Sequence, residues 1–79
     1  MRLDKYLKVS RLIKRRTVAN EACDAGRVLI NDTVAKAGTN VKVGDKITIQ
    51  FGNKEVNVEV VAVEETMKKE EAKELYRYI

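Results

Sequence analysis

The chain contains no histidine, no proline and no tryptophan, and it has a single cysteine, Cys23, and a single serine, Ser10. Without an imidazole, neither Ser10 nor Cys23 has the neighbouring base that would make it a nucleophile. One cysteine cannot close an intramolecular disulfide, and one thiol without histidine cannot build a zinc-type site. The carboxylates fall at spacings that form no recognisable cation cage. Paired acids such as Glu64-Glu65 and Glu70-Glu71 read as solvated faces of a charged tail. Gly26, Gly38, Gly44 and Gly52 are too dispersed for a phosphate-binding loop. The longest apolar run, Val60-Val61-Ala62-Val63, is far below the ~20 residues of a membrane span. Residues 1–16 lack the apolar core and small-residue cleavage site of a secretory signal. The expectation is a non-enzyme with no cofactor, no metal site and no membrane partner. Its lone thiol suits a reducing cytoplasm.

What is present is charge, unevenly placed. Seven of the first sixteen residues are basic: Arg2, Lys5, Lys8, Arg11, Lys14, Arg15 and Arg16, opposed only by Asp4, which gives this segment +6. Nine basic and eleven acidic groups give the other 63 residues −2, within a net +4. A concentrated basic patch on a slightly acidic body suits a polyphosphate partner, because each neutralised phosphate releases condensed counterions. A solvated helix face is the competing explanation, and the confinement of the excess to one fifth of the chain argues against it. A membrane-surface helix would need a wide apolar face. Leu3, Leu7 and Leu12 are few, and the core needs them. Seventy-nine residues make one small domain that buries only ~60% of its unfolded surface.

Periodicity orders the elements. Leu3, Tyr6, Leu7 and then Val9 or Ser10 recur at helical spacing, and Leu12 and Ile13 return apolar surface before Lys14. Thr17 reads as the N-cap of a second helix, with Val18, Ala19, Ala22, Cys23 and Ala25 on its apolar face and Asn20, Glu21 and Asp24 on its wet face. Gly26 sits at the left-handed position that ends a helix. Val28-Leu29-Ile30 and Thr33-Val34-Ala35 flank Asn31-Asp32 as a tight hairpin. Gly44-Asp45 turns into a strand at Ile47, Ile49 and Phe51, and Gly52-Asn53 turns into its partner at Val56, Val58, Val60 and Ala62. From about Met67 the period is helical again, through Glu71, Ala72, Leu75 and Tyr76. The expected fold class is α+β: two N-terminal helices on a small, mostly antiparallel sheet of about four to five strands, with a C-terminal helix. The core is expected in 1–63 and a helical tail in 64–79. Cys23 and Tyr6 are assigned to the core, although Tyr6 could also stack on a base.

The candidate binding residues follow from position. Lys14, Arg15 and Arg16 lie where a helix begins, and its backbone N–H groups and dipole favour an anion. Arg can grip a phosphate bidentately. Arg2, Lys5 and Arg11 share the basic segment, and Arg27 and Lys36 bracket the hairpin. The expected phosphate-binding set is Arg2, Lys5, Arg11, Lys14, Arg15, Arg16, Arg27 and Lys36.

Arg2-Leu3-Asp4-Lys5-Tyr6-Leu7, Arg16-Thr17, Ala22 to Val28, Ile30-Asn31-Asp32, Val34, Lys36, Val41, Val43-Gly44-Asp45 and Ile47 together resemble the RNA-binding domain named after small-subunit ribosomal protein S-four. The resemblance spans residues 2–51. Asp32 departs from it, since the family usually has Gly after the Asn. The resemblance implies a helical pair on a small sheet, with structured RNA bound on the face of the first two helices. It places Arg2 in the Arg-Leu-Asp motif and Arg16 at the basic position before the second helix. Asp4 reads as structural, capping backbone donors or orienting Arg16, because a carboxylate repels phosphate.

The segment Glu65 to Ala72, continuing to Tyr76, is similar to that of the RqcP family, relatives of the fifteen-kilodalton bacterial heat-shock protein. This similarity implies a factor of bacterial ribosome-associated quality control, and the chain itself is expected to be a stand-alone domain and a monomer. Its implied partners are large-subunit rRNA, peptidyl-tRNA, the large ribosomal subunit and RqcH, which directs C-terminal alanine tailing of stalled chains. A ribosome-assembly or heat-shock RNA-binding factor is the nearest alternative. A protein-interaction module docking through a helix at Met67–Ile79 is one of another class.

Overall fold

The computed structural model describes residues 1–64 and 69–79. Leu3, Tyr6 and Leu7 fall on one stripe of a helix, α1 (Leu3–Val9), and all three are fully buried. Arg11 ends the turn after α1 in the left-handed region, at φ 63°, and its N–H donates to the Lys8 carbonyl. A bulky L-residue adopts that conformation at a cost. The second helix, α2 (Arg16–Asp24), packs on α1 through Ala19 and Cys23. It starts two residues earlier than expected. Arg15 is the N-cap and makes no side-chain cap hydrogen bond, and Thr17 lies inside the first turn, exposed. The apolar stripe is also narrower than expected: Val18 is 45% exposed and Ala25 is exposed. Gly26 adopts φ +75° and ends the helix as its sequence position suggests.

Five strands follow: β1 (Val28–Ile30), β2 (Thr33–Val34), β3 (Lys46–Phe51), β4 (Lys54–Val60) and β5 (Tyr76–Tyr78). They form one antiparallel sheet in the order β2-β1-β3-β4-β5. The β1–β2 turn uses Asn31 and Asp32 at φ 51° and 68°, so Asp in place of Gly still makes the hairpin. Asn31 also ties the turn to the start of β3. Its side-chain oxygen accepts from the Lys46 N–H at 3.0 Å and its Nδ2 donates to Asp45 at 3.2 Å. Register puts Val28 opposite Ile49, Ile30 opposite Ile47, and Ile47 opposite Val58, all on the face toward the helices. The core is this apolar face closed by α1, Ile13 and α2.

The C-terminal helix expected from Met67 is not what the described residues form. Met67 lies outside them, as do Glu65, Thr66 and Lys68. Lys69–Leu75 is a 3₁₀ helix and Tyr76–Tyr78 is the edge strand β5. Two local preferences explain the difference. A 3₁₀ turn repeats every three residues, so Ala72 and Leu75 share one edge, and both are buried. Tyr76 and Tyr78 are aromatic residues in alternation, a strand preference, and they pair opposite Val60 and Val58. Leu75 belongs to the main core, and its carbonyl accepts from the Tyr6 hydroxyl at 2.6 Å. Tyr6 is therefore a core residue, fully buried and not available to stack on a base.

Two stability predictions arise here. Cys23 is buried and unpaired, and burial, with Asp4 and Asp24 nearby, pushes its thiol up to about 11. A Cys23→Ser variant should lose roughly 1 kcal/mol or more through a buried hydroxyl, while RNA binding per folded molecule stays unchanged. Chemical denaturation and a binding assay on the same sample check both halves. In Tyr6→Phe the Leu75 carbonyl keeps two donors, the N–H groups of Val61 and Ala62. The loss should therefore stay near ~0.5–1.5 kcal/mol, the net worth of one hydrogen bond. Hydrogen exchange should show the loosening concentrated in residues 75–79.

Candidate nucleic-acid interface

The basic segment folds around one acid. Asp4 is only 2% exposed, although it sits in the first turn of α1. Its Oδ1 accepts from the Lys5 backbone N–H at 2.8 Å and from Arg2 Nε at 3.2 Å. Its Oδ2 accepts from Arg16 Nε, Asn20 Nδ2 and Arg2 Nη2, each at 3.4 Å. Burial alone would raise this carboxyl's pKa. The hydrogen bonds from Asn20, Arg16 and the Lys5 N–H, with the Arg16 charge, outweigh it and hold the group below the ordinary carboxylate range. Both arginine side chains remain about half exposed, at 54% for Arg2 and 49% for Arg16.

Three local features bring these groups together. Arg2 is the N-cap of α1 and bridges to Asn40 across a loop. That loop fastens to the helix start: the Leu3 N–H donates to Thr39 O at 2.8 Å and the Asp4 N–H to Ala37 O at 3.1 Å. The first N–H groups of α1 are thus already satisfied, and Arg2 contributes through its side chain alone. Arg16 and Asn20 stand four residues apart on α2, one turn, so both reach the same carboxylate. Asp4, Arg16, Thr17, Asn20 and Glu21 line a shallow open hollow there.

The other expected residues distribute around this cluster. Lys14 and Arg15 are exposed immediately before α2, and Arg15 is its N-cap. Lys36 is exposed on the loop that fastens to α1. Lys5 is half-buried on α1, and Arg11 is exposed at its end. Arg27 is also exposed, but it lines a different hollow, with Ile13, Val18, Ala22, Ala25, Gln50 and Phe51. The two hollows adjoin along α2, where Glu21 lines both. Reading the sequence alone missed Asn20, assigned only to a wet helix face. Its spacing of four from Arg16 was the available signal. Among the described residues no group of three or more Cys, Asp or Glu is arranged to hold a metal ion. No helix among them is long and apolar enough to cross a membrane.

Comparison with known proteins identifies the fold and the family. The family model described as the S4 domain matches residues 1–47. A protein of Halalkalibacterium halodurans named RQC P-site tRNA stabilizing factor is 63% identical over 76 residues, covering 96% of this chain and 86% of that one. A protein of the same name from Listeria monocytogenes is 58% identical over 79 residues, covering 100% and 86%. Among solved structures, the trimeric heat shock protein 15 of Vibrio cholerae superposes with a TM-score of 0.92 at 31% identity, covering 100% of this chain and 81% of that one. That trimer does not fit the expectation of a monomer drawn from the sequence. Both the family model and the identity over nearly the whole chain place the protein: it belongs to the S4 domain family.

Proposed function

We propose that this chain is a non-catalytic rRNA- and tRNA-binding factor of bacterial ribosome-associated quality control. It binds the large ribosomal subunit that still holds peptidyl-tRNA on a stalled chain, in the cytoplasm, as a single RNA-binding domain over residues 1–79. In that setting it supports the C-terminal alanine tailing directed by RqcH. The observation that carries the RNA-binding part is the joining of Arg2 and Arg16, from different elements, at one exposed corner of a +6 segment. The uncapped start of α2 lies at the same corner and adds free backbone donors for a phosphate. The quality-control part is supported by relatives whose name assigns them to stabilising P-site tRNA.

The likeness to heat shock protein 15 favours a second reading, a heat-shock or assembly factor for the large subunit. Sedimentation of native particles captured on the protein separates the two. Large subunits rich in peptidyl-tRNA are expected, and assembly intermediates would favour the alternative. A docking helix at Met67–Ile79 has no counterpart in the described residues, where Ala72 and Leu75 face the core.

A further inference from the structure

We propose that Asp4 is the positioning residue of the RNA face, so that removing its negative charge weakens RNA binding instead of strengthening it. The inference rests on the assignment of Arg2 and Arg16 to RNA. Simple electrostatics gives the opposite sign. Asp4 is a carboxylate beside the expected phosphate contacts, and deleting it would raise the net charge of the segment from +6 to +7.

The geometry explains why the sign reverses. Arg carries five N–H donors in a rigid planar fork and many rotamers on its stem. Asp4 engages Arg2 by Nε and one Nη, which sets the plane of that fork, and Arg16 by Nε alone, which tethers its fork at one edge. About half of each side chain stays open to solvent. No other carboxylate pairs with either guanidinium among the described residues. The carboxylate is itself held by groups that do not move with the arginines, the Lys5 N–H on α1 and Asn20 on α2. It therefore sets the relative placement of two cations from different elements. Freed from it, each arginine must lose its rotamer freedom on binding, at a cost that the folded wild-type protein has already met. The retained positive charge still exceeds the single negative one by one unit, so the corner stays attractive to phosphate.

The experiment uses the full chain and purified bacterial large ribosomal subunits carrying peptidyl-tRNA. Affinity is measured by fluorescence anisotropy for wild type, Asp4→Asn, Arg16→Ala and the double variant, scaled to the folded fraction. Asp4→Asn is expected to bind about tenfold more weakly, the scale of one charge-assisted contact. Its salt slope should fall by about one to two phosphate equivalents. A purely structural role would reduce the folded fraction and leave the slope alone. Because Asp4 acts through Arg16, the double variant should lose much less than the two single losses combined. A separate measurement needs no variant: in wild type the Nε–H protons of Arg2 and Arg16 should exchange with water more slowly than those of Arg11, Arg15 and Arg27. Tighter binding by Asp4→Asn, an additive double variant, or equal exchange at all five arginines each overturns the proposal. If Arg16→Ala itself binds like wild type, the RNA assignment of this corner fails instead, and the exchange comparison still decides whether Asp4 orders the guanidiniums.

Discussion

Alanine at Arg2 or at Arg16 is expected to weaken binding to large ribosomal subunits by about ten- to a hundredfold, or roughly 1.5–3 kcal/mol, the worth of one charge-assisted contact. Both arginine side chains are half exposed and neither contributes to the apolar core, so the loss should come from contacts with RNA. Lysine at Arg16 should rescue only in part. It keeps the charge but cannot donate from a fixed Nε to Asp4 while presenting a fork outward. Stability should follow a different pattern. A single substitution leaves Asp4 with one guanidinium, Asn20 and the Lys5 N–H, and the melting temperature should change little. The double substitution leaves a buried carboxylate without a cation, which is destabilising. The pH dependence has a definite sign. Asp4 is depressed in the folded state, so its contribution is present above the ordinary carboxylate range and is lost as pH falls through the lower folded value. The double variant should lose that acid-limb dependence. Neutralising Lys68 and Lys69 is the control and should matter much less. Normal binding by the arginine variants with failure of the tail variants would place the RNA face at the wrong end of the molecule.

The affinity of the wild-type protein should itself collapse with salt. If about six phosphates are neutralised, binding should fall by roughly a thousandfold or more between about 50 and 200 mM monovalent salt at fixed magnesium. Seven of the eight expected RNA-binding residues are exposed, all but Lys5, so six contacts are within the supply. Arg27 lines the adjoining hollow and not the one at Asp4, and its removal should leave the slope nearly unchanged if the RNA track follows Arg2, Arg16 and Lys36. Titrations at several salt concentrations give the slope directly. A flat dependence would mean that shape and apolar contact dominate and that the basic segment serves another purpose.

Much of the fold was legible because its signals are local. The stripe of Leu3, Tyr6 and Leu7, the positive-φ pair Asn31-Asp32, and the alternation of Ile47 and Ile49 with Thr48 each specify an element without reference to the rest of the chain. The C-terminal segment was misjudged because its periodicity is ambiguous. Ala72 and Leu75, three apart, fit an α-helix and a 3₁₀ turn alike, and only pairing with β4 decides that Tyr76–Tyr78 is a strand. The convergence at Asp4 was half legible. A carboxylate beside Arg2 invited a structural role, with Arg16 as a partner. That Asn20 joins it, and that the loop at 37–40 consumes the first donors of α1, depends on tertiary placement.

The hydrogen bond between Tyr6 and Leu75 spans 69 positions of sequence. In equilibrium terms so long a loop costs little, since each doubling of length adds only about 0.6 kcal/mol. For a chain made from its N-terminus, the consequence is one of order. The helices that carry the RNA-binding arginines are synthesised first, yet the apolar surface beneath Tyr6 stays open until Leu75 arrives to fill it. Translation interrupted before that residue would release a product with its basic segment complete and its core unclosed. A stalled copy of this protein would thus be an incomplete chain of the very kind the proposed pathway removes.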